Sequence, residues 1–300
     1  MSRAADALGL AAYKTVSAAF AVLPRRACRA AGGGLGRLAY RLDRKHRGIA
    51  LANLATAFGR ERTPEELAAV ARESFVRFGR VLADILKMAR YSRARVLSLI
   101  ATEGRENLEA ALAKGKGALI FTAHFGNWEV LSAAVSEIGP FRAIARALDN
   151  PYLEKDLSRF RTRLGSEVIN KFGASRPILR ALARNEIVAI LIDQNVLRSQ
   201  AVFVDFFGKS AATTPGLAAF HLASGAPLVP LFVDAAAGGR YRLRILPPLE
   251  FPSPGRRDED VLKITQICTK MIEHEIRRTP EQWLWVHKRW NTRPAEEEPS

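Results

Sequence analysis

The chain has 300 residues, 48% of them apolar, with 46 Lys and Arg against 30 Asp and Glu, for a formal net charge of +16. That length supports a large core, and the apolar fraction excludes a disordered chain. Only two cysteines, Cys28 and Cys268, far apart in sequence, exclude a disulfide framework and fit a reducing compartment.

The basic excess is concentrated at the start. Residues 1 to 100 hold 19 Lys and Arg against 7 Asp and Glu, a net of +12. Such a surface wants an anionic partner. No zinc-finger spacing, RNA-binding aromatic signature or recognition-helix pattern accompanies it, which argues against nucleic acid. Leu8 to Leu23 is a largely apolar run broken by Lys14 and followed, after Pro24, by Arg25, Arg26 and Arg29. A spanning helix needs about 20 apolar residues. The run therefore predicts an interfacial anchor, a membrane-associating helix over residues 1–30 with its cations at anionic headgroups. The alternative is an amphipathic helix packed on the protein's own core. The weakly basic start and the lack of a small-residue cleavage site argue against a signal peptide.

Residues 31–100 read as a helical layer. Gly32-Gly33-Gly34 predicts a break, Arg37 to Arg47 is basic, and Ile49 to Phe58 is helical. Thr63-Pro64-Glu65-Glu66 is a helix start, with Thr63 as cap, Pro64 at the first position and Glu66 three residues after the cap. Its helix is expected to reach about Tyr91. No long linker follows, so residues 31–300 are expected to form one domain with an α/β core over 101–290. Strands are expected at 118–122, 142–146, 167–170, 187–192, 227–233 and 241–246, with helices between most of them. That alternation predicts an α/β fold, a mainly parallel central sheet flanked by helices. A last helix is expected over 259–277, and the acidic tail 294–300, with Glu296-Glu297-Glu298, is expected to be disordered.

The chemistry centres on Thr122-Ala123-His124-Phe125-Gly126-Asn127-Trp128-Glu129. The apolar run Gly117 to Phe121 before it reads as a buried strand, and Val130, Leu131, Ala134, Val135 and Ile138 after it recur at helical spacing. His124 is then at the carboxyl end of a strand, the edge where open α/β sheets bind ligands. Imidazole is the side chain suited to act as a base near neutral pH, and a carboxylate such as Glu129 can fix its tautomer. On spacing alone, a strand-end histidine and an acid favoured by a helix dipole also account for the pair.

Further polar groups fall at the same edge. Arg146 follows the second strand, where a guanidinium can hold a phosphate or an oxyanion. Asp193-Gln194-Asn195 follows the strand 187–192, with Asp193 equally suited to cap a turn. Phe206-Phe207 suits the floor of an apolar chain-binding groove. Trp283, Trp285 and Trp290 stand among basic groups and suit either a lipid headgroup region or the core. No cluster has metal-ligand spacing, and no Gly-x-Ser-x-Gly elbow, P-loop or dinucleotide fingerprint is present. What remains is a base without a covalent nucleophile, which suits direct attack of a substrate hydroxyl on an activated acyl group.

Several of these motifs, in this order, resemble the bacterial lipid A late acyltransferases within the wider glycerolipid acyltransferase superfamily. The resemblance runs through the basic N-terminus, Ala52-Asn53-Leu54, the His124 to Glu129 motif, Arg146 with Asp149-Asn150-Pro151, Asp193-Gln194, Phe206-Phe207-Gly208, Thr213-Thr214-Pro215 and Trp285 to Trp290. It implies that His124 is the general base with Glu129 as its partner, and that Asn127, Arg146, Asp193 and Gln194 serve substrate binding. It also implies acyl-acyl-carrier protein as donor and no cofactor or metal. The acceptor would be a hydroxyl of a Kdo-containing lipid A precursor, reached among inner-membrane lipids at the cytoplasmic face. Another membrane acceptor, such as a lysophospholipid, an ornithine lipid or a mannosyl phosphoinositide, is the alternative. A non-catalytic membrane-surface protein is the reading from a different class.

Overall fold

A computed structural model describes residues 3–148, 150–251 and 255–295, with side chains from residue 13 onward; Asp149 and Glu296-Glu297-Glu298 lie outside the described residues. The chain opens with four helices, α1 (Arg3–Val22), α2 (Arg25–Leu42), α3 (Arg44–Phe58) and α4 (Pro64–Met88). Thr63 starts α4 with the expected reciprocal cap. Its hydroxyl accepts from the Glu66 amide, and its own amide donates to the Glu66 carboxylate at 2.8 Å.

The expected break at Gly32-Gly33-Gly34 does not occur, because α2 runs straight through it. The glycines serve packing instead. A Cβ on Gly32 would lie 2.4 Å from the Gly79 carbonyl oxygen, and one on Gly36 would lie 2.2 Å from that of Phe75. Backbone-to-backbone contact between α2 and α4 offsets the helix penalty of glycine, about 1 kcal/mol per residue. α1 ends with Phe20 buried beside Cys28 and Ala83, while Val16, Val22 and Leu23 are exposed. Among the described residues, no helix is long and apolar enough to cross a membrane.

Among the described residues nine strands follow: β1 (Ile100–Glu103), β2 (Ala118–Thr122), β3 (Phe141–Ala145), β4 (Ser166–Asn170), β5 (Ile187–Leu191), β6 (Val202–Phe206), β7 (Lys209–Thr213), β8 (Leu228–Ala235) and β9 (Tyr241–Ile245). Seven form one sheet in the order β1-β9-β8-β2-β5-β3-β4, and β6 and β7 form a separate hairpin. Every pairing in the large sheet is parallel except β8 with β9. The mainly parallel sheet is therefore as expected, and six strands fall within two residues of their expected bounds. β1 and the hairpin are additions. β1 is a short edge strand, Ile-Ala-Thr-Glu, without an apolar pattern. The hairpin turns at Phe207-Gly208 with φ of 58° and 74°. Both residues lie in the left-handed region of a primed turn. A phenylalanine is unusual there, and its amide is held by the buried Glu273 carboxylate at 2.7 Å.

The intervening helices are α5 (Arg93–Leu97), α6 (Arg105–Leu112), α7 (Leu131–Val135), α8 (Pro151–Arg163), α9 (Ser175–Ala183), α10 (Gly216–Ser224) and α11 (Arg257–Arg278). Side chains alternate across the sheet as the strand period demands. Leu119 and Phe121 of β2 pack with α3, α4, α9, α10 and α11, whereas Ala118 and Ile120 pack with α6, α7 and α8. The connection from β2 to β3 runs through α7 on the second face, and that from β5 to β8 runs through α10 on the first. The chain thus leaves the carboxyl ends of the neighbouring strands β2 and β5 toward opposite faces, which opens a crevice between them.

Candidate active site

His124 stands two residues beyond β2 and Asp193 two residues beyond β5. Parallel pairing sets Thr122 against Leu191, so the two loops bring these side chains together. The His124 ring Nδ1 lies 2.9 Å from Asp193 Oδ1, and the His124 amide donates to Oδ2 at 2.8 Å. The Trp283 indole N–H donates to the same Oδ2 at 2.7 Å. Asp193 is 3% exposed. Burial alone would push its carboxyl up, but His124 and the donors from His124 and Trp283 outweigh it and hold the pKa down at about 2. An ionised Asp193 only accepts hydrogen bonds, so Nδ1 carries the imidazole proton and Nε2 offers its lone pair. Gln194 Nε2 lies 3.3 Å from Nε2.

The expected contact between Glu129 and His124 is not made. Glu129 follows His124 into a short 3-10 turn over Trp128–Val130 and is carried away from the ring. Its carboxylate accepts from Arg161 of α8 at 2.8 and 2.6 Å and from the Trp128 indole at 3.1 Å. Among the described residues, Glu129 meets the site through Trp128, whose ring meets the His124 ring edge to face at 5.0 Å. The carboxylate beside His124 is Asp193, expected on the substrate side instead. With both oxygens occupied in the protein interior, it has no free face for a substrate.

The loop carrying His124 is pinned by the C-terminal segment. The Gly126 amide donates to the Gln282 carbonyl at 3.0 Å, and the Leu284 amide donates to the His124 carbonyl at 3.1 Å. Gly126 has a φ of 57°, and a Cβ there would lie 1.9 Å from the Val233 carbonyl oxygen. Only glycine fits this position.

Asn127 is fully buried, and its amide orientation follows from its neighbours. The Asp84 carboxylate, also fully buried, accepts from Arg25 Nε at 2.7 Å and from Arg29. Tyr241 donates its hydroxyl proton to Asp84. Burial and that carboxylate push the tyrosine pKa up, so the hydroxyl keeps its proton. The Tyr241 oxygen therefore accepts from Asn127 Nδ2 at 3.0 Å. Asn127 Oδ1 is left buried without a partner, in a residue that lines the cleft beside His124.

That cleft is open to solvent and spans about 520 Å³ with its open mouth included. His124, Asn127 and Trp128 form one wall, and Arg29, Arg77 and Arg80 from α2 and α4 form another. Arg29 is one of the cations after Pro24 that the sequence assigns to headgroups and lies here instead, whereas Arg77 and Arg80 are legible in the sequence only within the basic total of the first hundred residues. Arg146 does follow β3 at the expected edge and is exposed. Two strand spacings separate β3 from β2, so it does not enter the cleft.

Other motifs prove structural. Phe206 and Phe207 are buried at 1% and 7% exposure against Trp283, Trp285, Trp290 and Phe58, so they do not floor an open groove. The tryptophans belong to the core. Asn53 Nδ2 donates to the Trp285 and His287 carbonyls at 2.7 and 2.6 Å, fastening α3 to this segment. Arg289 is fully buried, donates to the Ala212 carbonyl and the Thr213 hydroxyl, and lies over the Phe206 ring. Burial pulls its pKa down to about 10, which leaves it charged near neutrality. His287, with its pKa lowered by burial, accepts from the Asn195 amide at 2.8 Å. Among the described residues, no three His, Cys, Asp or Glu side chains gather to hold a metal ion.

The family model described as bacterial lipid A biosynthesis acyltransferase matches residues 2–292. The lipid A biosynthesis palmitoleoyltransferase of Escherichia coli (strain K12) is 30% identical over 89% of this chain and 85% of its own length. The lipid A biosynthesis lauroyltransferase of the same organism is 27% identical over 88% of this chain and 85% of its own. The phosphatidylinositol mannoside acyltransferase of Mycobacterium tuberculosis (strain CDC 1551 / Oshkosh) is 29% identical over 76% and 71%. With a match that includes the helical layer, the sheet and the C-terminal segment that holds His124, the chain belongs to the bacterial lipid A biosynthesis acyltransferase family.

Proposed function

We propose that this protein transfers a fatty acyl chain from an acyl-acyl-carrier protein thioester to a hydroxyl of a lipid A precursor. The observation that carries the mechanism is the contact between His124 Nδ1 and the buried, ionised Asp193. His124 Nε2 takes the proton of the acceptor hydroxyl as its oxygen attacks the thioester carbonyl carbon. The tetrahedral intermediate collapses, the carbon–sulfur bond breaks, and the thiolate leaves with the proton that His124 returns. Asp193 stays ionised throughout and stabilises the transient imidazolium, a division of labour worth roughly 10²–10⁴ in rate. No covalent acyl-enzyme is involved.

The reaction is assigned to the cytoplasmic face of the inner membrane, with the start of the chain lying in the interface. Support comes from the apolar side chains that α1, α2 and the turn between them leave exposed, Val22, Leu23, Leu35, Leu38 and Leu42, next to Arg26, Arg37 and Arg41. A mannosyl phosphoinositide acceptor is the second reading, favoured by the similarity to the mycobacterial enzyme.

The test is to incubate purified protein in detergent with a tetra-acylated Kdo-lipid A precursor and a panel of acyl-carrier-protein thioesters, following product mass. His124→Ala runs alongside. A gain of one acyl chain that the variant loses supports the reading. Failure with every donor, together with acylation of a phosphatidylinositol mannoside, would replace the acceptor. Transfer that survives in His124→Ala would remove the mechanism.

A further inference from the structure

The chemistry at His124 makes no use of most of the basic excess in the first hundred residues. Part of it converges on a second cleft. The close crossing of α2 and α4 at Gly32, Gly36 and Gly79 holds the two helices in fixed register, and their seam carries cavities at two places. One is the catalytic cleft. The other is open to solvent, has a cavity volume of about 470 Å³ and is lined by Arg37, Tyr40 and Arg41 of α2 and by Arg72 and Glu73 of α4.

Glu73 lines the second cleft together with the three arginines. Its carboxylate lies 3.2 Å from Arg77 and 3.7 Å from Arg80, both of which line the catalytic cleft. Its charge is thereby paired with those two guanidinium groups. Arg37, Arg41 and Arg72 form no ion pair among the described residues, although Arg77, Arg93, Arg105, Arg142 and Arg244 each do. Three guanidinium groups facing one concavity repel each other until an anion enters. Their planar forks match the oxygens of a phosphate, which they bind in pairs.

We propose that the Arg37–Arg41–Arg72 cleft is a phosphate-binding subsite for the headgroup of the acceptor lipid. This rests on the acyl-transfer reading of the His124 site and specifies where the acceptor's phosphate is held. Arg72 and Arg77 are five residues apart on α4, about 8 Å along the helix at 1.5 Å per residue. A phosphate seated in the second cleft thus leaves the hydroxyl-bearing part of the same molecule within reach of the first. The concave shape and the choice of arginine over lysine favour a compact tetrahedral anion. An acidic protein helix would be met by an open, convex row of cations.

The experiment compares wild type with Arg37→Gln, Arg41→Gln, Arg72→Gln and the triple variant. Acyl transfer is measured to a phosphorylated acceptor and to the same acceptor treated with phosphatase, with donor and acceptor titrated separately. Thermal unfolding checks that each variant is folded. Wild type is expected to prefer the phosphorylated acceptor. The triple variant is expected to lose about tenfold or more of that preference, through the KM for acceptor, as loss of charge-assisted bonds implies. In parallel, the phosphorylated headgroup alone is titrated calorimetrically, and its binding should weaken by a similar factor.

Unchanged discrimination in a folded triple variant would overturn the proposal. So would a rise in the KM for carrier-protein donor alone, which would give the cleft to the carrier protein. Absence of transfer by wild type would instead defeat the acyl-transfer reading, and the calorimetric titration still decides whether the cleft holds a phosphate.

Discussion

Asp193 meets His124 because the β2–β5 pairing sets Thr122 against Leu191, and each of the two side chains lies two residues further on. A carboxylate delivered by a neighbouring strand is held by the sheet itself, whereas one on the same loop turns with the loop. Replacing Asp193 by Asn would preserve shape while removing the charge that orients the ring and stabilises the imidazolium. The expected outcome is a fall in kcat of roughly 10²–10⁴ with a small change in KM, measured by initial rates at saturating acceptor. A loss of less than threefold in a folded variant would rule out the dyad.

The same carboxylate makes stability depend on pH. Its folded-state pKa of about 2 lies below the ordinary value of 3.8, so its contribution is complete above about pH 4 and lost as pH falls through about 2. Chemical unfolding of wild type should lose about 2 kcal/mol more than Asp193→Asn across that interval. Parallel curves for the two proteins would show that Asp193 is not held ionised by its surroundings.

Glu129 and Arg161 make a buried pair whose separation leaves one charge stranded. Glu129→Ala should cost about 3–5 kcal/mol, and Glu129→Ala with Arg161→Met should recover a large share of it. Unfolding free energies of the four proteins in the cycle settle this. A single variant as stable as wild type would mean that the pair is solvated and structurally idle.

The glycines of α2 make opposite forecasts within two residues. Gly36→Ala pushes a methyl into the Phe75 carbonyl and should destabilise by about 1–3 kcal/mol. Gly34→Ala meets nothing within 4 Å and should stabilise by about 0.5–1 kcal/mol through helix propensity. Thermal unfolding of both variants compares them directly, and equal shifts would deny the close crossing.

Tyr241 fixes the Asn127 amide with one hydroxyl. Tyr241→Phe leaves Asp84 its two arginines but frees Asn127 to rotate, so kcat should fall while the Asn127→Ala change adds little on top of it. An additive loss in the double variant would show that the two side chains act separately.

Much of this protein is written in local sequence. The strand pattern from Ala118 to Thr122, the cap at Thr63, the period of residues 259–277 and the position of His124 at a strand end all follow from rules spanning a few residues, and the structure agrees with each. The basic excess of the first hundred residues is likewise plain in the sequence. The partner of His124 is not, because it lies 69 residues away and is brought in by strand order, with β5 inserted between β2 and β3. Glu129 was the nearer carboxylate in sequence, but a 3-10 turn and Arg161 claimed it. The glycine run of α2 reads as a break until α4 lies against it, and Phe206-Phe207 reads as a lipid groove until the tryptophans close over it. Local rules fix which residues become helix or strand; which side chains meet depends on packing between distant segments, and only the tertiary structure decided that.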